Sequence, residues 1–164
     1  MGTMETAAAT IVVGIGATGV MDLWLLLLKR LGVPTGSFAL IGRWVGHFAH
    51  GSFVHPAIAK APEVRGELAI GWVTHYVIGV TYAAALVAIT GVQWLAEPTW
   101  RPAVVFGATT VLAPLLVMQP AMGAGFAASK TPAPVVNCLR SLANHTVFGV
   151  GLSLSANAIA WLMR

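Results

Sequence analysis

The chain has 164 residues, 57% of them apolar and only 9% charged, with a mean hydropathy of +0.82. Soluble domains carry about 25% charged residues, so this balance excludes an ordinary soluble fold and predicts a single integral membrane domain over residues 1–164. The net charge of +4 comes from nine Lys and Arg residues scattered along the chain, mostly at the ends of apolar runs; that is a topology signal and not a nucleic-acid footprint.

Crossing a hydrocarbon core of roughly 30 Å takes about 20 mostly apolar residues. The first stretch of that kind covers residues 7–28. No Lys or Arg precedes it, no Ala-x-Ala site closes it and it carries Asp22, so it reads as a retained span and not as a secretory signal. Gly14-Ile-Gly16-Ala-Thr-Gly19 matches a dinucleotide-binding pattern, but it sits inside an apolar run with no strand before it. Small residues that let a neighbouring helix approach explain it better. A charge at the centre of a span costs about 2.5 to 3.5 kcal/mol on insertion scales. Asp22 is therefore predicted to face the bundle, either paired with Arg43 or another base, or carrying function.

The next segment, residues 38–59, holds Arg43, His47, His50 and His55 in otherwise oily sequence. At helical spacing Arg43, His47 and His50 fall on one face, at i, i+4 and i+7, with the helix expected to end near Pro56. Such a helix lies at the membrane interface or is re-entrant. If it does not cross, Lys29, Arg30, Arg43, Lys60, Arg65, Lys130 and Arg140 share one face, leaving Arg101 and Arg164 opposite. The positive-inside rule then predicts both termini outside.

Three further spans are expected over residues 68–95, 102–128 and 135–162, separated by short loops punctuated with Pro and Gly. Glu67, Gly71, His75 and Tyr82 share one face of the second, with Tyr76 beside them. Pro114 and Pro120 interrupt the third, where Met118, Gln119 and Met122 surround the break. Asn137, Ser141, Asn144 and His145 form a polar stripe on the last, and the lone Cys138 near its start excludes an intramolecular disulfide. The predicted fold is all-α: a polytopic bundle of four spanning helices plus one amphipathic re-entrant or interfacial helix.

Imidazole and carboxylate ligate zinc, iron and copper, so His47, His50, His55, His75 and His145, with Asp22 and Glu67, are candidates for holding a metal ion or haem. Met118 and Met122 suit Cu(I) or haem iron. Asp22, Arg43, Glu67, Tyr76 and Asn144 are candidates for a small polar ligand or a proton relay, and Arg43, Lys130 and Arg140 for an anionic head group. No nucleophile elbow, phosphate loop or His-Glu-x-x-His motif occurs, so no catalytic residue is assigned. Three functions follow: a histidine-rich intramembrane site for a metal, haem or small polar ligand; a proton-coupled small-solute carrier or channel, expected as a homodimer because four spans are few for a monomeric carrier; or an accessory subunit whose polar residues lock helices. Membrane lipid is the expected surrounding partner and nucleic acid is not.

Several strings taken together, Gly16-Ala-Thr-Gly-Val-Met-Asp22-Leu-Trp24, Gly42-Arg-Trp-Val-Gly-His47 through His55, Gly66-Glu-Leu-Ala-Ile-Gly-Trp-Val-Thr-His75-Tyr76, Met118-Gln-Pro-Ala-Met-Gly-Ala-Gly125 and Asn144-His145, resemble a family of small bacterial inner-membrane proteins known only as a domain of unknown function. The resemblance covers nearly the whole chain. It implies a bacterial inner membrane and a multi-span helical fold, and it transfers no activity.

Overall fold

The computed structural model describes residues 2–162; Arg164, which entered the topology argument, lies outside them. The described residues form helices and turns with no strand. Four helical stretches are long and apolar enough to cross a membrane: Thr3–Arg30, Glu67–Thr90, Trp100–Ala121 and Pro134–Leu162.

Local chemistry sets their ends. Helix α1 (Thr3–Arg30) begins with Gly2 donating its backbone N–H to Glu5 Oε2 at 2.8 Å, and ends on Lys29 and Arg30, which complement the negative end of the helix dipole. Helix α2 (Phe38–Gly46) gives way to a 3-10 turn at His47–His50, closed by Gly51 at φ 71°. Here the expectation of one continuous helical face fails. A 3-10 turn has 3.0 residues per turn, and Gly51, not Pro56, ends the run, so Arg43 is buried while His50 is exposed.

Helix α3 (Glu67–Thr90) stops at Gly91, whose φ of 86° breaks the helix short of the expected Leu95, and Gln93–Ala96 forms a separate turn, α4. Helix α5 (Trp100–Thr109) continues through a π-helical stretch at Pro114–Met118 into the short α6 (Gln119–Ala121). Pro114 and Pro120 have no N–H for the carbonyls four residues earlier, and the widened turn lies between them. The helix does not extend to residue 128; Gly123 and Gly125, at φ 93° and 78°, end it. Helix α7 (Pro134–Leu162) opens with proline at its first position, where a missing N–H costs nothing.

The chain divides into two compact units, each built from separated segments. The first comprises residues up to Pro34, Tyr76–Thr110, and the chain from Ala143 onward. Its core is small and apolar: Val13, Ala17, Leu86, Leu95, Ala103, Leu152 and Ala156 are all but inaccessible. Glycines set the spacing. A Cβ on Gly14 would lie 2.6 Å from Val80 Cα, and one on Gly151 would lie 2.9 Å from Ala17 Cα. Gly14 and Gly16 of the Gly-x-Gly-x-x-Gly string thus serve helix packing, Gly16 against Ser155, while Gly19 faces open space. Other apolar side chains face outward, with Leu23, Val105 and Leu154 exposed as lipid-facing residues are.

The second unit comprises Thr35–His75 and Val111–Leu142. In it α2 meets the start of α3 at backbone distance: a Cβ on Gly42 would collide with the Glu67 carbonyl, and one on Gly71 with the Phe38 carbonyl. Phe38 stacks on Trp72 and His75, with ring centroids 4.2 and 4.6 Å apart. Gly123 is held against the Pro56 carbonyl in the same way.

Gly42→Ala and Gly71→Ala are expected to lower stability by about 1–3 kcal/mol each, as overpacking does. Gly19→Ala, with open space around it, should be neutral or stabilising. Melting curves in a mild detergent check this, and equal effects at all three positions would contradict the close crossing.

Candidate functional site

In the second unit the Gly42/Gly71 crossing lets Arg43 reach the first turn of α3. Its Nε donates to Glu67 Oε2 and its Nη2 to Glu67 Oε1, both at 2.8 Å. Nη2 also donates to Glu63 Oε1 at 3.2 Å, and Nη1 to the carbonyls of Ala61 and Ala59 at 3.1 and 3.4 Å. A guanidinium has five N–H groups, and five acceptors meet them. The Glu67 hydrogen bonds hold the guanidinium above its already high ordinary pKa. Glu67 also accepts from the Val64 backbone N–H at 3.2 Å, so one ion pair fastens α2, the 59–64 loop and the start of α3. Arg43 is therefore a structural clamp. With every donor engaged it is neither a free anion receptor nor the base expected for Asp22.

Beside the clamp, His47 Nδ1 lies 2.7 Å from His55 Nε2, and His47 Nε2 lies 3.1 Å from the Pro62 carbonyl. A carbonyl only accepts, so His47 Nε2 carries the hydrogen. With both rings neutral, His47 Nδ1 must then accept, His55 Nε2 must donate, and His55 Nδ1 is left as a bare lone pair. That atom is buried and has no hydrogen-bond partner among the described residues; His55 as a whole is 9% exposed. The backbone fixes its position: His55 N–H donates to the Ala121 carbonyl at 2.7 Å, and Ile58 N–H to the Met122 carbonyl at 3.0 Å.

The first unit holds its own polar contacts. Tyr76 donates its hydroxyl hydrogen to Asp22 Oδ2 at 2.8 Å, and Trp24 Nε1 donates to Asn144 Oδ1 at 2.9 Å. Thr110 Oγ1 lies 2.6 Å from the Gly107 carbonyl and 2.7 Å from His145 Nδ1. With the one hydroxyl hydrogen on Gly107, His145 Nδ1 is the donor.

Of the sequence candidates, the structure thus pairs His47 with His55, Arg43 with Glu67, Asp22 with Tyr76 and Asn144 with Trp24. His75 lies under Phe38, and Met122 contributes its backbone carbonyl to the His55 loop. Among the described residues no group of three or more His, Cys, Asp or Glu is placed to hold a metal ion. Sequence reasoning gave no role to Trp24, Glu63 or Thr110, and noticed Gln119 only as an amide near a helix break. Gln119 Oε1 is the other buried side-chain atom without a partner among the described residues. An amide inside an apolar stretch was the available signal, by the argument already applied to Asp22.

Helices of spanning length around interior polar pairs define a polytopic α-helical membrane protein. The model of the family described as "Protein of unknown function (DUF2938)" matches residues 11–159, and the chain belongs to that family. No curated protein and no solved structure matches the chain.

The tautomer chain has a direct readout. In protein labelled with 15N-histidine, His55 and His47 should both show a protonated Nε2 and an unprotonated Nδ1. His47→Gln should release the constraint on His55.

Proposed function

We propose that this protein resides in a bacterial inner membrane with both termini outside and binds a small polar ligand in the unit formed by Thr35–His75 and Val111–Leu142. One observation carries the reading: the His47–His55 chain fixes a bare imidazole nitrogen in a buried place. A buried polar atom without a partner costs about 1–3 kcal/mol, which a ligand's hydrogen bond offsets. Arg43 serves that site as a frame.

The donor set favours a polar ligand over a tetrahedral metal ion. Both His47 nitrogens are engaged and His50 is exposed, so the open His55 nitrogen is too few for a four-ligand set. A second reading, a proton-coupled carrier acting as a homodimer, draws support from Asp22, a carboxyl within a spanning stretch hydrogen-bonded to Tyr76. In the accessory-subunit reading the Trp24–Asn144 and Thr110–His145 contacts act only as locks between helices.

Protein purified in a mild detergent is expected to be colourless and free of stoichiometric metal. A panel of small polar compounds should contain some that raise its melting temperature, with about 2.7 kcal/mol of added stability at 100 times Kd. His55→Phe should abolish that response. Stoichiometric metal or haem, or a panel with no stabilising compound, would overturn the ligand reading. Proton flux in liposomes that is lost in Asp22→Asn would favour the carrier.

A further inference from the structure

We infer that the ligand of this unit is a small molecule that donates N–H hydrogen bonds, received by His55 Nδ1 together with Gln119 Oε1. The inference rests on the ligand-binding reading above and adds to it a second residue and a chemical class.

Hydrogen-bond polarity supplies the class. Pro62 can only accept, so with both rings neutral the hydrogens along Pro62, His47 and His55 all point one way, and the open end of that chain is an acceptor. Gln119 Oε1, an amide carbonyl oxygen, is likewise an acceptor. Buried polar atoms without partners are few in a folded protein, and these two share one chemical demand: each needs a hydrogen from outside. Two acceptors cannot satisfy each other. A ligand that itself only accepts, such as a carboxylate or a phosphate, meets two lone pairs and is repelled; an ammonium, amine or amide group satisfies both.

The backbone brings the two residues to one locality. His55 N–H is bonded to the carbonyl of Ala121, and Gln119 lies two residues before Ala121 in the same short helix, α6. Ile58 N–H on the Met122 carbonyl makes a second tie, and Gly123 seats the Pro56 carbonyl where no larger residue fits. The loop carrying His55 and the segment carrying Gln119 are thus clamped at three successive points. Helix α6 also follows a widened turn that opens at Pro114, and such π turns recur at binding sites.

The test is calorimetric titration of the intact protein in mild detergent with four probes. Methylammonium carries N–H donors and charge, acetamide carries N–H donors without charge, tetramethylammonium carries charge without N–H, and trimethylamine N-oxide only accepts. Binding of methylammonium, acetamide or both, with tetramethylammonium and the N-oxide at least about tenfold weaker, supports the inference; that ratio corresponds to one hydrogen bond of roughly 1.4 kcal/mol. Which of the two donors binds better tells a charged from a neutral source. Gln119→Leu should weaken the donor probes about tenfold, and Gln119→Glu, which keeps the acceptor and adds charge, should restore methylammonium binding or tighten it. Equal binding of tetramethylammonium, or indifference to Gln119→Leu in a folded variant, would overturn the donor inference. If the N-oxide binds and His55→Phe abolishes it, ligand binding survives while the donor class falls. If no probe and no member of the wider panel binds, both fall.

Discussion

A buried guanidinium tolerates no idle N–H group, and the loop architecture of the second unit follows from that constraint. Arg43 cannot lose its proton, so burial demands five acceptors in the plane of the fork. Glu67 supplies a bidentate pair, Glu63 one further oxygen, and the carbonyls of Ala59 and Ala61 the rest. Those acceptors span residues 59–67, so the loop must curl around the side chain. Its path then brings the Pro62 carbonyl to His47 and so sets the direction of the imidazole chain. The close crossing at Gly42 and Gly71 serves the same end, because a bulkier contact there would hold α2 too far from Glu67.

Bidentate geometry also explains why lysine is not equivalent at position 43. An ammonium reaches one carboxylate oxygen well, but it cannot meet Glu67 on two parallel bonds and two loop carbonyls at once. Positive charge is the part of Arg43 that topology arguments read. Its planar fork is the part that builds the unit.

Much of this was legible in the sequence because the bilayer dictates it. Hydrophobic runs of spanning length gave the four long helices to within a few residues at most ends, and Pro114 and Pro120 marked the irregular turn. The errors arose where local backbone chemistry overrides periodicity. Nothing in the 3.6-residue pattern of Arg43, His47 and His50 announces a switch to a 3-10 turn, and Gly51 in a left-handed conformation terminates the run five residues before Pro56. Residue types alone could not assign the partners that these side chains take. Hydrogen bonds such as Trp24 to Asn144, 120 residues apart, depend on helix rotation, which neither composition nor spacing encodes.

The polar residues sort themselves by satisfaction more usefully than by charge or location. Arg43 is the most conspicuous residue of the chain and the least available, since a saturated cation has nothing left to offer a ligand. Tyr76 with Asp22 and Thr110 with His145 are contacts in which each group meets a complementary one, as low-dielectric surroundings require. His55 departs from that pattern because its neighbour on one side is already committed. Pro62 fixes His47, His47 fixes His55, and the direction of donation passes undiminished to the far nitrogen. A hydrogen-bonded pair that would ordinarily close on itself is instead held open, and the opening has a defined sign: it asks for a hydrogen. That sign originates at a backbone carbonyl, which can only accept.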